Sequence, residues 1–119
     1  MNKVFLLGYI GQEPKITDTN NGKVASLSLA TTEKGYTTKS GAAIPDRTEW
    51  HNIVMWGRLA DLAEKYIHKG SPIMVEGKLR TRKYQAQDKT DRYITEIVAE
   101  EVQLLPNQKK EEEQDSYFC

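Results

Sequence analysis

The sequence has a single cysteine, Cys119, at its last position, and no excess of charge of either sign. One cysteine supports neither an intrachain disulfide nor a cysteine-based metal site, and a reducing, cytoplasmic setting is the default for such a chain. Seventeen Lys and Arg residues balance seventeen Asp and Glu residues. A protein that holds nucleic acid by bulk positive charge is therefore excluded, and any such binding needs a local basic patch.

Long apolar runs are also missing. No segment reaches the roughly 18–20 apolar residues needed to cross a bilayer. The apolar run at residues 4–10 follows Lys3 and looks at first like a signal peptide, but it is short, contains Gly8 and lacks a small-residue cleavage site. We therefore expect neither a targeting segment nor a membrane partner.

The residue types that carry out catalysis are sparse. The two histidines lie on different predicted elements, and the sequence has no GxSxG or HExxH motif. Asp88 and Asp91 lie in a turn-rich stretch, where aspartate is common for backbone reasons alone. Because no nucleophile, base and orienting group can be assembled, we expect a protein that is not an enzyme and that uses no cofactor or metal.

The composition divides the chain into a body and a tail. The length of 119 residues suits one domain, since a compact domain usually takes roughly 100–150 residues. Residues 107–119 carry two lysines against four acidic residues and are predicted to form a short, acidic, disordered tail. The body, residues 1–106, is predicted to be one domain.

Within the body, the dominant hydrophobic period is two, which is the strand period. Strands are predicted at 2–11, 23–32, 48–56, 73–82 and 93–104, and an amphipathic helix at 57–68. Residues 34–47 are predicted to form a long connection, and residues 84–92 a polar hairpin connection. Three strands, one helix and two strands are the order of the OB-fold, a mainly β, five-stranded and partly open barrel. A flat five-stranded α+β sheet would produce much the same pattern.

The alternation also predicts which side chains face inward. In strand four, Leu79 is expected to point inward with Ile73 and Val75. In strand five, one side is expected to hold four apolar residues: Ile94, Val98, Val102 and Leu104.

Trp50 and Trp56 lie on one face of the third predicted strand, with polar Asn52 between them. Taken singly, a tryptophan usually belongs to the core. On the opposite face, Ile53 and Met55 are apolar and suited to the core, and a half-buried strand packs only one of its two faces against the core. We therefore expect an exposed aromatic surface, which generally marks a binding site.

A basic cluster lies in and after the fourth strand. Residues 78–92 contain six Lys and Arg residues against two Asp residues. Alone, the cluster is also explained as a solvated strand edge whose charges oppose aggregation. Together with the tryptophan pair and Tyr84, it favours binding to single-stranded nucleic acid, in which aromatic rings stack on bases and cations follow the phosphates. Duplex binding would call for a recognition helix, and the predicted helix is apolar on one face.

At these residues the chain resembles the bacterial single-stranded DNA-binding protein (SSB) family. The stretches that carry the resemblance are NKVFLLGYIGQEP at 2–14, LAT at 29–31, TEWHNIV at 48–54, GRLA at 57–60, KGS at 69–71 and VEGKLRTRKY at 75–84. The resemblance implies an OB-fold that assembles as a homotetramer. It further implies a cytoplasmic, nucleoid-associated protein that coats single-stranded DNA in replication, recombination and repair.

The resemblance also assigns roles to residues. Positions expected to stack on bases are Trp50, Trp56, Tyr84 and Tyr36. Positions expected to contact phosphates are Arg58, Lys69, Arg80, Arg82, Lys83 and Arg92, to which the local charge pattern adds Lys78. His51 matches a position that the family uses for subunit assembly.

The tail departs from the family pattern. Members typically carry a long tail rich in Gly, Pro and Gln, whose acidic tip finishes in Pro-Phe and recruits replication and repair proteins. Here acidic residues precede Ser-Tyr-Phe-Cys119, so the proline and the terminal phenylalanine are missing. Two interpretations stay open: partner binding through Asp115, Tyr117 and Phe118, or a tail that only adds solubility.

Three other functions also remain as alternatives. The chain could be a relative devoted to primosome assembly, or one that prefers RNA. From a different class, it could be an interaction module whose aromatic face binds protein.

Overall fold

The computed structural model describes residues 1–106, and the tail positions Asp115, Tyr117 and Phe118 lie outside them. The described residues form eight strands, β1–β8, and one helix, α1. Their bounds are β1 Val4–Ile10, β2 Lys15–Thr19, β3 Gly22–Glu33, β4 Tyr36–Thr37, β5 Ala43–Ile44, β6 Arg47–Trp56, α1 Arg58–Tyr66, β7 Pro72–Gln85 and β8 Asp91–Leu104.

Five long strands close into a barrel. The order around it is β1, β7, β8, β6 and β3, and β1 returns to pair with β3. Two of the five strand pairings are short. Strands β1 and β3 pair at two positions, and β6 and β8, which run parallel, also pair at two positions. The predicted OB-fold is confirmed. The alternative of a flat sheet is wrong, because Tyr9 and Ile10 pair with Ala30 and Leu29 across the closing seam.

Alternating side chains of the barrel strands fill one core. Ile10, Leu29, Ile53, Met55 and Val75 are all almost completely buried. Such burial supplies most of the favourable free energy of folding, at roughly 25 cal/mol per Å² of apolar surface.

The helix α1 packs its apolar face on this core. Ala60 and Ala63 are fully buried, and α1 lies against β3, β6 and β8. It ends at Tyr66, two residues earlier than predicted, because Ile67 is extended, with φ −100°. Within residues 1–106, α1 is the only helix, and its nine residues are too few to cross a membrane.

Strand β2 was not expected from the sequence. It pairs with β3 through a hairpin that turns at Asn20 and Asn21. Ile16 is its only large apolar residue and packs at the edge of the core. One apolar side chain in five residues produces no visible period-two alternation, so the sequence pattern does not indicate this strand.

The inward face predicted for β8 is partly wrong, because the ladder between β7 and β8 contains a bulge. Glu76 pairs with Glu101 but Gly77 pairs with Ala99, so Glu100 is an extra residue in β8. One extra residue reverses the parity of a strand. The side chains of Ile97 and Ala99 therefore face the core in place of Ile94 and Val98. Leu79 pairs with Ile97 and keeps the inward parity of β7, but it is 49% exposed because it lies beyond Gly77, where the pairing of β7 with β1 ends.

Beyond the barrel, β7 and β8 continue as a long hairpin. The predicted connection at 84–92 shrinks to a turn at 86–90, since β7 extends to Gln85 and β8 begins at Asp91. The Ala86 N–H donates to the Thr90 carbonyl at 2.9 Å and closes the turn. Lys89 adopts φ 65° within it. The hairpin carries the predicted basic cluster away from the core.

Candidate nucleic-acid interface

One continuous surface runs over the outward-facing side chains of β3, β6, β7 and β8, and we call it the groove face. Cross-strand pairs share a face, and successive residues alternate between faces. The residues that this rule assigns to the groove face are Ser26 and Ser28 on β3, Trp50, Asn52, Val54 and Trp56 on β6, Lys78, Arg80, Arg82 and Tyr84 on β7, and Arg92, Ile94, Glu96 and Val98 on β8. An open cleft of about 230 Å³ lies at its centre, lined by Asn52, Arg82 and Glu96 among others.

The two tryptophans of β6 are both on this surface. Trp50 is 62% exposed and Trp56 is 38% exposed, whereas Ile53 and Met55 on the opposite face of the strand are fully buried. Six residues of extended strand separate the two indoles by roughly 20 Å. The structure therefore leaves two large aromatic rings open to solvent on one face.

Small neighbours keep the Trp50 ring accessible. Its cross-strand partner on β3 is Ala30, and its six-membered ring lies over the backbone of Gly11. Any side chain at residue 11 would occupy the space of that ring. Trp56 has Val24 as its cross-strand partner, and the chain turns into α1 directly after it.

The two predicted tyrosines lie in different surroundings. Tyr84 is 41% exposed on the groove face, in the row of Arg80 and Arg82. Tyr36 is 65% exposed and lies on the small β4–β5 hairpin, which connects β3 with β6. It lines a second open cleft together with Arg47, the first residue of β6.

Arg80 and Arg82 share one acidic partner on the groove face. Glu96 on β8 accepts a hydrogen bond at its Oε1 from Arg80 Nη2 and another from Arg82 Nε, both at 2.9 Å. The Glu96 side chain is only 3% exposed, whereas the two arginine side chains are 43% and 51% exposed. Glu96 was not predicted as a site residue, although an acidic residue between Ile94 and Val98 in an apolar row was a visible signal in the sequence.

The remaining predicted phosphate contacts are scattered. Lys78 continues the row of Arg80 and Arg82, Arg58 begins α1, and Lys69 follows α1; all three are exposed. Arg92 lies opposite Tyr84 and forms an ion pair with Asp88 at 3.5 Å.

Lys83 lies apart from this set. It pairs across the hairpin with Tyr93, so its side chain lies on the opposite face from Arg82. It forms an ion pair with Asp91 at 3.0 Å.

His51 lies on the face of β6 opposite the tryptophans. Its ring Nε2 is hydrogen-bonded to the Thr31 hydroxyl at 2.8 Å, and the residue is partly buried. Among the described residues, no three His, Cys, Asp or Glu side chains converge as a metal site would require.

Together these features define a class: an OB-fold protein whose outer barrel face combines exposed indoles with an arginine row. The sequence matches the family described as "Single-strand binding protein family" over residues 1–105, and the chain belongs to this family. The resemblance found from the sequence is confirmed.

Two similar proteins illustrate the match. The chain is 49% identical over 106 residues to a "Single-stranded DNA-binding protein" of Bacteroides thetaiotaomicron, covering 88% of this chain and 66% of that one. The chain therefore spans about two thirds of the length of that relative. A solved structure, "Plasmodium falciparum SSB complex with ssDNA", superposes with a TM-score of 0.78 at 36% identity, covering 89% of this chain and 96% of that one.

Proposed function

We propose that this protein binds single-stranded DNA on the groove face, with little dependence on base sequence. The observation that carries the proposal is the presence of two exposed indoles, Trp50 and Trp56, on the same face as Arg80 and Arg82. Base–aromatic stacking contributes roughly 1–3 kcal/mol per base and accepts every base, because each base has a π-face. The arginine row supplies the cations that a phosphate backbone needs.

Several residues complete the proposed binding path. Tyr84 and Tyr36 would stack on further bases, since both rings are exposed. Lys78, Arg58, Lys69 and Arg92 would contact phosphates from the edges of the groove face. Lys83 would contact DNA only where the strand passes around the hairpin, because its side chain lies on the opposite face.

Duplex binding is less well supported. The apolar face of α1 packs on the barrel core, and its exposed face is mixed in charge, with Arg58 and Lys65 beside Asp61 and Glu64. The groove face instead offers separate ring surfaces, which require unpaired bases.

We further propose that the protein is a homotetramer that coats single-stranded DNA during replication, recombination and repair, as its family membership suggests. A second exposed surface supports the assembly. On the outer side of β1, Phe5, Leu7 and Tyr9 are 68%, 61% and 44% exposed, next to Met74 of β7. Contiguous exposed apolar patches of this kind mark protein–protein contacts. His51 would contribute to assembly from the face of β6 that lies away from the DNA.

The test is a titration of the tryptophan fluorescence with poly(dT), followed by competition with matched single-stranded RNA and duplex DNA. We expect strong quenching by poly(dT) and weaker competition by the other two. Tighter binding to RNA would replace the DNA assignment, and no quenching by any nucleic acid would favour a protein-binding module. Light scattering with and without dT oligomers would report the number of subunits, and a monomer in both would contradict the tetramer.

A further inference from the structure

Among residues 1–106, Glu96 is the only charged residue that is buried, and it lies on a surface assigned to an anionic ligand. Its carboxylate is held by Arg80 and Arg82, which lie on the groove face as well. Burying a carboxylate without partners would cost free energy of folding, so the contacts with the two arginines explain how the protein can bury Glu96. They do not account for why a DNA-binding face carries a negative charge at all.

The geometry leaves both guanidinium groups able to bind a phosphate. Each guanidinium has five N–H donors, and each gives one to Glu96: an Nη2–H from Arg80 and the Nε–H from Arg82. The remaining donors are accessible, because the arginine side chains are about half exposed while the carboxylate is not. A phosphate can therefore bind the outer side of the pair without displacing the carboxylate.

The charge of the cluster follows directly. Two guanidinium charges and one buried carboxylate sum to +1, half of what the arginine pair would carry alone. Because the carboxylate shares hydrogen bonds with both arginines at 2.9 Å, its field acts at close range on any phosphate that they contact.

We propose that Glu96 is a positioning residue and built-in counterion for Arg80 and Arg82. It fixes both guanidinium groups on the groove face and remains paired with them when DNA is bound, so that it limits the affinity of the face for phosphate and its dependence on salt. The inference rests on the proposed function, single-stranded DNA binding, and adds an element that weakens binding.

The test compares Glu96→Gln with Glu100→Gln. Glutamine keeps an oxygen acceptor for the arginines and removes the charge. Glu100 is a matched control, because it lies on the same strand and is ion-paired with Lys3 at 3.2 Å rather than with Arg80 or Arg82. Both variants raise the net charge by one, so a general charge effect would appear equally in both.

We expect Glu96→Gln to steepen the plot of log K against log salt for a dT oligomer by about 0.7, the value of one extra phosphate neutralised. Because the slopes differ by about 0.7, lowering the salt from 1 M to 0.1 M should raise the affinity of Glu96→Gln about fivefold more than it raises the affinity of the unaltered protein. Glu100→Gln should change both quantities much less. A slope for Glu96→Gln equal to that of Glu100→Gln would overturn the proposal, whereas absence of dT binding by the unaltered protein would refute the proposed function instead.

A measurement on the unaltered protein covers the case in which Glu96→Gln does not fold. The Nε–H proton of Arg82 should give a hydrogen-bonded NMR signal that is protected from exchange with water. We expect the signal to persist after a dT oligomer is added, since the contact with Glu96 is retained. Loss of its protection in the DNA complex would contradict the proposal.

Discussion

The six-membered ring of Trp50 lies against the backbone of Gly11, in the space that a side chain at position 11 would fill. Trp50 is on β6 and Gly11 directly follows β1, so the contact joins two distant segments at one end of the groove face. The Gly11 N–H donates to the Ser28 carbonyl at 2.9 Å, which fixes the backbone beneath the ring. The Trp50 ring therefore packs on the backbone of Gly11, while the rest of the indole stays open to solvent.

The variant Gly11→Ala tests this relationship. The new methyl group would push the Trp50 ring from its position, because its Cβ would overlap the ring atoms. We expect weaker binding to poly(dT), by up to the roughly 1–3 kcal/mol that one stacked base contributes, and a shifted emission spectrum. In a Trp50→Ala background, the same substitution should have no further effect on binding, and a full second loss would contradict the contact.

Direct removal of the indoles should weaken binding at each position. Trp50→Ala and Trp56→Ala should each cost roughly 1–3 kcal/mol in affinity for dT oligomers, because each removes one stacking surface. Tyr66→Ala on α1 is a suitable control, since this ring is 61% exposed but lies on the helix. Fluorescence or calorimetric titration would measure all three, and unchanged affinity in both tryptophan variants would argue against the groove face.

Two tyrosines of the β7–β8 hairpin provide a test of which face binds. Tyr84 and Tyr93 are 41% and 70% exposed and lie on opposite faces, because Tyr93 pairs with Lys83, the neighbour of Tyr84. We expect Tyr84→Ala to weaken DNA binding by about 1 kcal/mol or more, and Tyr93→Ala to leave it nearly unchanged. Equal losses, measured with the same dT oligomer, would mean that DNA wraps both faces of the hairpin.

The sequence was sufficient to predict the five long strands and the exposed tryptophans, because both depend on period-two alternation. The choice of a barrel over a flat sheet came from the order of the elements together with the family resemblance. Ile53 and Met55 are buried and Trp50 and Trp56 exposed, as the pattern of β6 requires. Alternation is a local property of each strand's own residues, so it can be recognised in the sequence without knowing which strands pair with one another.

Features that depend on two strands together were not predictable. The bulge at Glu100 inverts the faces of β8, and its cause lies in the register with Gly77 on β7. In the same way, the Glu96 cluster joins residues 14 and 16 positions apart through a hairpin whose length was underestimated. Cross-strand register is not encoded in the alternation of either strand alone.

Removal of both arginines should destabilise the protein as well as weaken DNA binding. In the variant Arg80→Ala, Arg82→Ala, the carboxylate of Glu96 loses both of its hydrogen-bond donors. We expect the free energy of unfolding to fall by about 1–3 kcal/mol, the cost of an unsatisfied buried polar group. Adding Glu96→Gln should restore part of that stability without restoring DNA binding. Urea unfolding would measure the stability, and a double variant as stable as the unaltered protein would show that Glu96 needs no partner.

The tip of the β7–β8 hairpin should depend on pH through Asp88. Hydrogen bonds from the Thr90 hydroxyl, at 2.6 Å, and from the Thr90 backbone N–H hold the pKa of Asp88 below its ordinary value. A carboxyl group with a lowered pKa stabilises the folded turn above its ordinary pKa of about 3.9, and this contribution is lost as the pH falls through the lower folded value. Thr90→Val removes the hydroxyl donor, so the pKa of Asp88 should rise towards its ordinary value. NMR titration of the Asp88 carboxyl carbon would measure both values, and an unchanged pKa in Thr90→Val would exclude the hydroxyl as the main cause.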